Sequence, residues 1–363
     1  MEHTHPRTKP YRQGSPEAIA TLKTRIAEEI QKNGPIGFDR FMAMALYDPK
    51  AGYYASSSRQ VGRDGDFFTS VSAGPLFGQL IALHLKQAWT ELGRPRSWRI
   101  LELGAHNGLL AEDIIVALPS DIGAEYVILE PLDELATAQK ERLGDQVQIV
   151  KSLDGLPAMP GILIANEVLD ALPFHIVEST GENWVEIGVG LNSTGEFEYE
   201  ELGAATDIAA NLPLRAKGYR TEVRPYLAEF LKPLANTVTP GRMLWFDYGF
   251  ERDDYYDESR TTGTLRTFHK HKAGENPLEH PGLLDITAHV DFTAMRDAIQ
   301  SLGGSVLRFE NQARFLTSTA KPLLLSLEGK TDPETLKLVR NFQTLTHPGQ
   351  LGSRFHVMEA QFE

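Results

Sequence analysis

The chain has 363 residues, with 36 Lys and Arg against 49 Asp and Glu, a formal charge of −13, and no cysteine. Zero cysteine excludes a disulfide framework, a thiolate metal site and a thiol nucleophile. The acidic balance argues against a general nucleic-acid binder, which needs a basic face to displace counterions. With 41% apolar residues the chain can fill a sizeable core. At roughly 150 residues per domain, its length fits two domains or one large α/β domain with insertions. No apolar run approaches the roughly 20 residues needed to span a bilayer, so no membrane partner is expected. The expected compartment is the cytoplasm, or the mitochondrion if the source is eukaryotic.

Residues 1–15 are polar and read as a disordered tail. Ser15-Pro16 then caps a helix with Ile19, Leu22, Ile26 and Ile30 at helical spacing, stopped by Asn33-Gly34-Pro35. A second short helix carries Phe38, Phe41, Met42 and Ala45. Residues 52–74 form a long loop centred on Gly62-Arg-Asp-Gly-Asp-Phe67, a length that is usually functional or disordered. Pro75 opens a long apolar helix that Gly93 and Pro95 close. The pattern then alternates: strand Trp98–Leu103, a turn at 104–108, helix Leu109–Leu118, strand Tyr126–Glu130, helix Leu132–Leu143, and strands Val147–Val150 and Gly161–Asn166. Such alternation implies right-handed βαβ units and a parallel sheet. Residues 174–222 break into short runs, Phe174–Glu178 and Asn183–Leu191 among them, and read as an antiparallel insertion. A helix Val223–Val238 and a strand Met243–Asp247 resume the rhythm. A polar loop over 250–285 precedes helix Asp291–Leu302, strand Val306–Phe309 and a last alternating strand, Phe355–Phe362.

The most specific chemical signal is the run strand–Glu102-Leu103-Gly104-x-x-x-Gly108–helix, with Glu130 ending the next strand, 26 residues after Gly104. In doubly wound sheets the ligand lies outside the carboxyl ends of the strands, near the first glycine turn, and a carboxylate about 20 residues on suits ribose hydroxyls. A dinucleotide fingerprint needs a glycine where this chain has His106, so a pyrophosphate would be crowded. S-adenosylmethionine carries an adenosine without phosphate and needs less clearance. The turn therefore favours that donor over a nicotinamide cofactor.

The chain resembles the family of the mitochondrial complex I assembly factor 7 (MidA-like) methyltransferases and their bacterial homologues. The matching stretches include Gly34-Pro-Ile-Gly-Phe-Asp-Arg-Phe-Met42, Leu46-Tyr-Asp-Pro49 with Gly52-Tyr-Tyr54, Gly62-Arg-Asp-Gly-Asp-Phe-Phe-Thr-Ser70 and Phe77-Gly78. They continue with Glu102-Leu-Gly104, Asn166-Glu-Val-Leu-Asp170-Ala-Leu-Pro173, Phe246-Asp-Tyr-Gly249, Asp285-Ile-Thr-Ala-His-Val-Asp-Phe292 and Leu345-Thr-His-Pro348. The resemblance implies a class I methyltransferase fold with a Rossmann-like, mostly parallel, seven-stranded sheet, a helical N-terminal cover and a β-rich insertion. The corresponding domains are a helical and loop cover over 16–96 and a methyltransferase domain over 97–363, with the insertion at 174–222. It further implies S-adenosylmethionine as methyl donor and, for eukaryotic members, methylation of a protein arginine in a respiratory complex I subunit. The chain departs from the family pattern at Ala105-His106-Asn107, at Val71-Ser72 and at Gln79.

A guanidinium acceptor stays protonated at neutral pH and needs carboxylates to grip it. Glu167 and Asp170 follow the fourth strand, and their spacing predicts one face of a short helix. They are the expected catalytic pair, Glu167 gripping the acceptor with Asp170 as partner. Asp66, Thr69, Ser70, Glu102, Gly104, His106, Gly108, Glu130 and Asn166 are the expected donor-binding residues. Tyr53, Asp247 and Tyr248 are expected to face the acceptor. A metal is not expected, because His269, His271, His280 and His289 fall at no recognisable ligand spacing. The basic run Arg266–Lys272 reads as a solvated face or a steering patch. Three other readings remain open: a small-molecule methyltransferase, a non-catalytic assembly protein that keeps the fold, and a nicotinamide dehydrogenase.

Overall fold

A computed structural model describes residues 15–55, 69–269, 272–274, 276–349 and 351–363. The expected tail, apart from Ser15, and the loop centre at 62–67 lie outside the described residues. Contacts group the chain into two compact units. One comprises Met1–Phe68, Asp170–Pro225 and Phe250–His289, the other Thr69–Leu169, Tyr226–Gly249 and Val290–Glu363.

The second unit is built on one sheet. Its strands are β1 (Trp98–Leu103), β2 (Ala124–Leu129), β3 (Gln148–Val150), β4 (Gly161–Asn166), β5 (Gly241–Phe250), β6 (Ser305–Asn311) and β7 (Phe355–Phe362). Their order is β3-β2-β1-β4-β5-β7-β6, and a short strand Val290–Asp291 adds to β5. Strands β1 to β5 run parallel, and β7 runs antiparallel to β5 and β6. A central parallel strand is covered on both faces and so reads as a continuous apolar run, which is why all six residues of β1 are buried. One face packs Ile100, Ile128, Ile164 and Phe246 against the helices Leu76–Glu91, Leu109–Ala117 and Gln312–Ser326. There Phe246 meets Phe77 and Phe315 edge-on, at centroid distances of 5.2 and 5.4 Å. On the other face Trp245 meets Phe230 of helix Leu227–Thr237.

The first unit joins two helices to an antiparallel sheet. Ser15 Oγ accepts from the Ala18 amide to cap helix Pro16–Asn33, which buries Leu22, Ile26 and Ile30. Helix Phe38–Tyr47 follows, and the sheet runs Ile36–Gly37, Trp184–Leu191, His175–Ser179, Arg220–Val223, with Phe197–Ala204 on the other side of Trp184–Leu191. Phe38, Phe41, Phe174, Ile176 and Val189 centre its core. No helix among the described residues is long and apolar enough to cross a membrane.

Three expectations need correction. The segment 250–285 is not a loop throughout: it holds a helical turn Arg252–Tyr255 and the strands Arg266–His269, Lys272–Ala273 and Asp285–Thr287. A distant residue orders part of it, since the buried Glu222 carboxylate accepts from the amides of Thr264 and Leu265 and from the Thr264 hydroxyl. The helix expected from Val223 begins at Leu227, because Val223 closes a strand paired with His175. Helices Gln312–Ser326 and Pro333–Thr346 were not anticipated, although the Asn311 and Asp332 side chains cap them.

Candidate functional site

Parallel pairing places Leu103 opposite both Leu129 and Ala165, so the residues that follow leave the sheet side by side. Gly104 and Glu130 thus stand just beyond β1 and β2, in a row with Asn166, the last residue of β4. Gly104 has φ +65°, and a Cβ there would lie 2.7 Å from Val168 Cγ2. Gly108, at φ +78°, turns the chain into helix Leu109–Ala117. His106 between them is left-handed at φ +48°, and so is Glu167 at φ +55°. Non-glycine residues in that region store strain, and among the described residues Arg94 is the only other case.

Glu130 is buried, with Oε1 accepting from the Leu132 amide at 3.0 Å and Oε2 from Gln139 Nε2 at 3.0 Å. Burial pushes its carboxyl above the ordinary value, against the pull of those two donors. Gln139 Nε2 also donates to the His106 carbonyl at 2.9 Å. One fully buried amide therefore ties the ribose-type carboxylate to the glycine turn. Sequence reasoning missed Gln139, and its nine-residue distance from Glu130 along helix Asp133–Leu143 carries no recognisable motif.

Glu102 lies deeper than expected. It is buried on the strand face it shares with Ile100, accepts from the Tyr126 hydroxyl at 2.6 Å, and burial pushes its carboxyl up to about 7. Asn166 donates from Nδ2 to Glu167 Oε1 at 3.0 Å, and its buried Oδ1 has no hydrogen-bond partner among the described residues. The Glu167 amide donates to the Phe246 carbonyl at 2.9 Å, holding the end of β4 to β5. Residues 167–172 bend and turn without forming the expected short helix, so Glu167 and Asp170 do not share a helix face. Asp170 belongs to the other unit, where its carbonyl accepts from Arg224 and from the Ala288 amide.

The remaining expected residues are largely tied to the protein itself. Asp247 is buried. Its Oδ2 accepts from the amides of Val168 and Leu169 at 3.2 and 2.8 Å, and its Oδ1 accepts from its neighbour Tyr248 at 2.9 Å. The Tyr248 ring meets Phe355 edge-on. Ser70 is buried and donates to Gln312 Oε1 at 2.9 Å, while Thr69 pairs with the Ser72 hydroxyl. Tyr53 is buried in the first unit's core, edge-on to Tyr54. Asp66 lies outside the described residues.

His271 also lies outside the described residues, and His289 is half-buried, stacked flat against Phe250, where desolvation pushes its imidazole down to about 4. Elsewhere in the first unit, Asp39, His175 and Glu186 bring three possible ligand atoms within 4.8 Å of one another. His175 Nδ1 there lies 2.7 Å from Glu186 Oε1 and 3.7 Å from Asp39 Oδ1, in a half-buried hydrogen-bonded cluster.

The strand order, the antiparallel β7 and the left-handed glycine turn define a Rossmann-like methyltransferase of class I. Residues 80–309 match a family of S-adenosyl-L-methionine-dependent methyltransferases, and the chain belongs to that family. It is similar to a likely methyl transferase of the COG1565 superfamily from Burkholderia thailandensis, solved with S-adenosyl-homocysteine bound. The two share 30% identity and a TM-score of 0.83 over 96% of this chain and 94% of that one. It is also similar to the mitochondrial protein arginine methyltransferase NDUFAF7 of Xenopus tropicalis, at 28% identity over 94% of this chain and 86% of the relative. The Caenorhabditis elegans NDUFAF7 homologue, also named mitochondrial, is 29% identical over 81% and 76%. S-adenosylmethionine is thus the methyl donor. The local geometry fits it, since the buried Glu130 oxygens, each accepting one hydrogen bond, keep lone pairs for a diol.

Proposed function

We propose that this methyltransferase transfers the donor's methyl group to a protein side chain, arginine first, with a subunit of a respiratory complex I-type assembly as the target. Glu167 carries the proposal: a carboxylate held in a strained left-handed backbone at the carboxyl end of β4. A guanidinium requires such a partner. The names of the curated relatives, protein arginine methyltransferases, support the same acceptor.

The proposed roles are these. Glu130 takes the ribose hydroxyls, and Gly104, His106 and Gly108 form the turn beside them. Glu102 sets the charge beneath that turn. Asn166 ends β4 at the same edge, with Thr69, Ser70 and Asp66 assigned to the donor's cover. Glu167 grips the acceptor, with Asp247 and Tyr248 shaping the surroundings. In the transfer, an acceptor Nη forms a bond to the methyl carbon, and the carbon–sulfur pair stays on sulfur, leaving S-adenosylhomocysteine. One Nη–H proton leaves through Glu167 to water. Placement and charge stabilisation supply most of such catalysis. The proposed compartment is the cytoplasm, or the mitochondrion in a eukaryotic source.

The test is transfer of radiolabelled methyl from the donor to arginine peptides and, separately, to a metabolite pool. Methylarginine in the peptide hydrolysate is the expected result. Label confined to metabolites would replace the acceptor with a small molecule, and failure to bind the donor at all would leave an assembly protein.

A further inference from the structure

This inference rests on the proposed transfer to nitrogen and concerns what selects the acceptor atom. Asn166 Nδ2 and Glu167 Oε1 lie 3.0 Å apart. A carboxylate accepts hydrogen bonds and has none to give, so it dictates which end of the neighbouring amide faces it. The amide polarity is thereby fixed: Nδ2 points to Glu167 and Oδ1 points away. That Oδ1 is buried and has no partner among the described residues. A buried acceptor without a donor is costly, and so is a left-handed glutamate. Both occur on consecutive residues at the end of β4, beside β1 and the Gly104 turn. A ligand that brings an N–H group to Oδ1 removes the first cost, and a cationic one also answers the adjacent carboxylate.

We propose that Asn166 and Glu167 act as a fixed-polarity acceptor pair, each taking an N–H of the acceptor guanidinium. The pair thereby favours a nitrogen that presents two N–H donors over hydroxyl, thiol and carbon acceptors, which bring one donor or none. Asn166 is a neutral amide and takes no proton in the reaction. It orients the attacking Nη while the C–N bond forms, the C–S bond breaks onto sulfur, and the lost N–H proton passes to the Glu167 carboxylate.

The experiment compares the wild-type chain with Asn166→Ala and Asn166→Asp. Asp restores an acceptor oxygen at the same place. Three readouts are taken: kcat/KM for an arginine peptide, the dissociation constant for S-adenosylhomocysteine by calorimetry, and Tm to confirm folding. The alanine variant is expected to lose about 10- to 100-fold in kcat/KM while cofactor affinity changes by less than about threefold. Asp is expected to recover part of that loss. An equal loss of cofactor affinity would place Oδ1 on the donor and overturn the proposal, as would an unchanged kcat/KM. The wild-type arm separates this proposal from the arginine reading. Label on lysine or histidine nitrogen would remove arginine yet keep the nitrogen selection, with the variants then compared on that residue. Label on oxygen, sulfur or carbon, or on no acceptor, would overturn both.

Discussion

Glu130 and Asp247 are two buried carboxylates near the carboxyl ends of parallel strands of one sheet, and they do opposite things. Asp247 accepts three backbone N–H groups, two from the turn after β4 and one from its neighbour. Glu130 accepts one backbone N–H and a share of a single side-chain amide. A carboxylate offers about four lone-pair sites. Asp247 therefore works as an internal clamp, whereas Glu130 retains room for two hydroxyls. Position at a strand end does not make a ligand residue; remaining acceptor capacity does.

That contrast can be broken experimentally, beginning with the clamp. Asp247→Ala strands one buried and two partly buried amides and should cost about 3 kcal/mol of stability by chemical denaturation. Near-normal stability would show that the loop after β4 holds itself. The next effect concerns Glu102, whose folded value of about 7 lies above its ordinary 4.5. The native state keeps a proton that the unfolded chain has lost, so stability falls as pH rises from about 4.5 through 7. Glu102→Gln should flatten that slope and recover on the order of 3 kcal/mol at pH 8. Thermal melts of both proteins from pH 5 to 8 decide it, and parallel curves would mean that another group titrates. Glu130→Ala should leave the fold intact and weaken S-adenosylhomocysteine about 30-fold, ~2 kcal/mol. A larger effect on Tm than on affinity would put Glu130 with the clamps. Gln139→Leu, which frees both Glu130 and the His106 carbonyl, should weaken the same ligand about fivefold, ~1 kcal/mol. Unchanged calorimetry would show that the turn positions itself.

Sequence patterning captured what depends on neighbours along the chain. Trp98–Leu103 and Gly161–Asn166 are strands over the ranges their apolar runs indicated, because burial on both faces demands such runs, and Phe355–Phe362 is one over the range its alternation indicated. The Gly104 turn and Glu130 were legible for the same local reason: a fixed spacing within one βαβ unit. The partners of Ser70 and Asp247, and Gln139 altogether, were not. Ser70 is tied to Gln312, 242 residues away, and Asp247 to amides 78 and 79 residues away. Helix Gln312–Ser326 contains Pro322, which normally signals a break, and this obscured its periodicity. The expected helix after Asn166 failed because Glu167 leaves the right-handed region, a choice its residue type does not announce.

Gly104 and Val168 also set an order on how this turn can change over generations. Two obstacles confront alanine at 104: contact with Val168 Cγ2 at 2.7 Å, and a backbone at φ +65°. Shortening residue 168 removes the first, and no neighbour relieves the second. The coupling is therefore one-sided, with the glycine locked and its partner free to shrink. Variation around this turn will accumulate at position 168 and leave position 104 untouched.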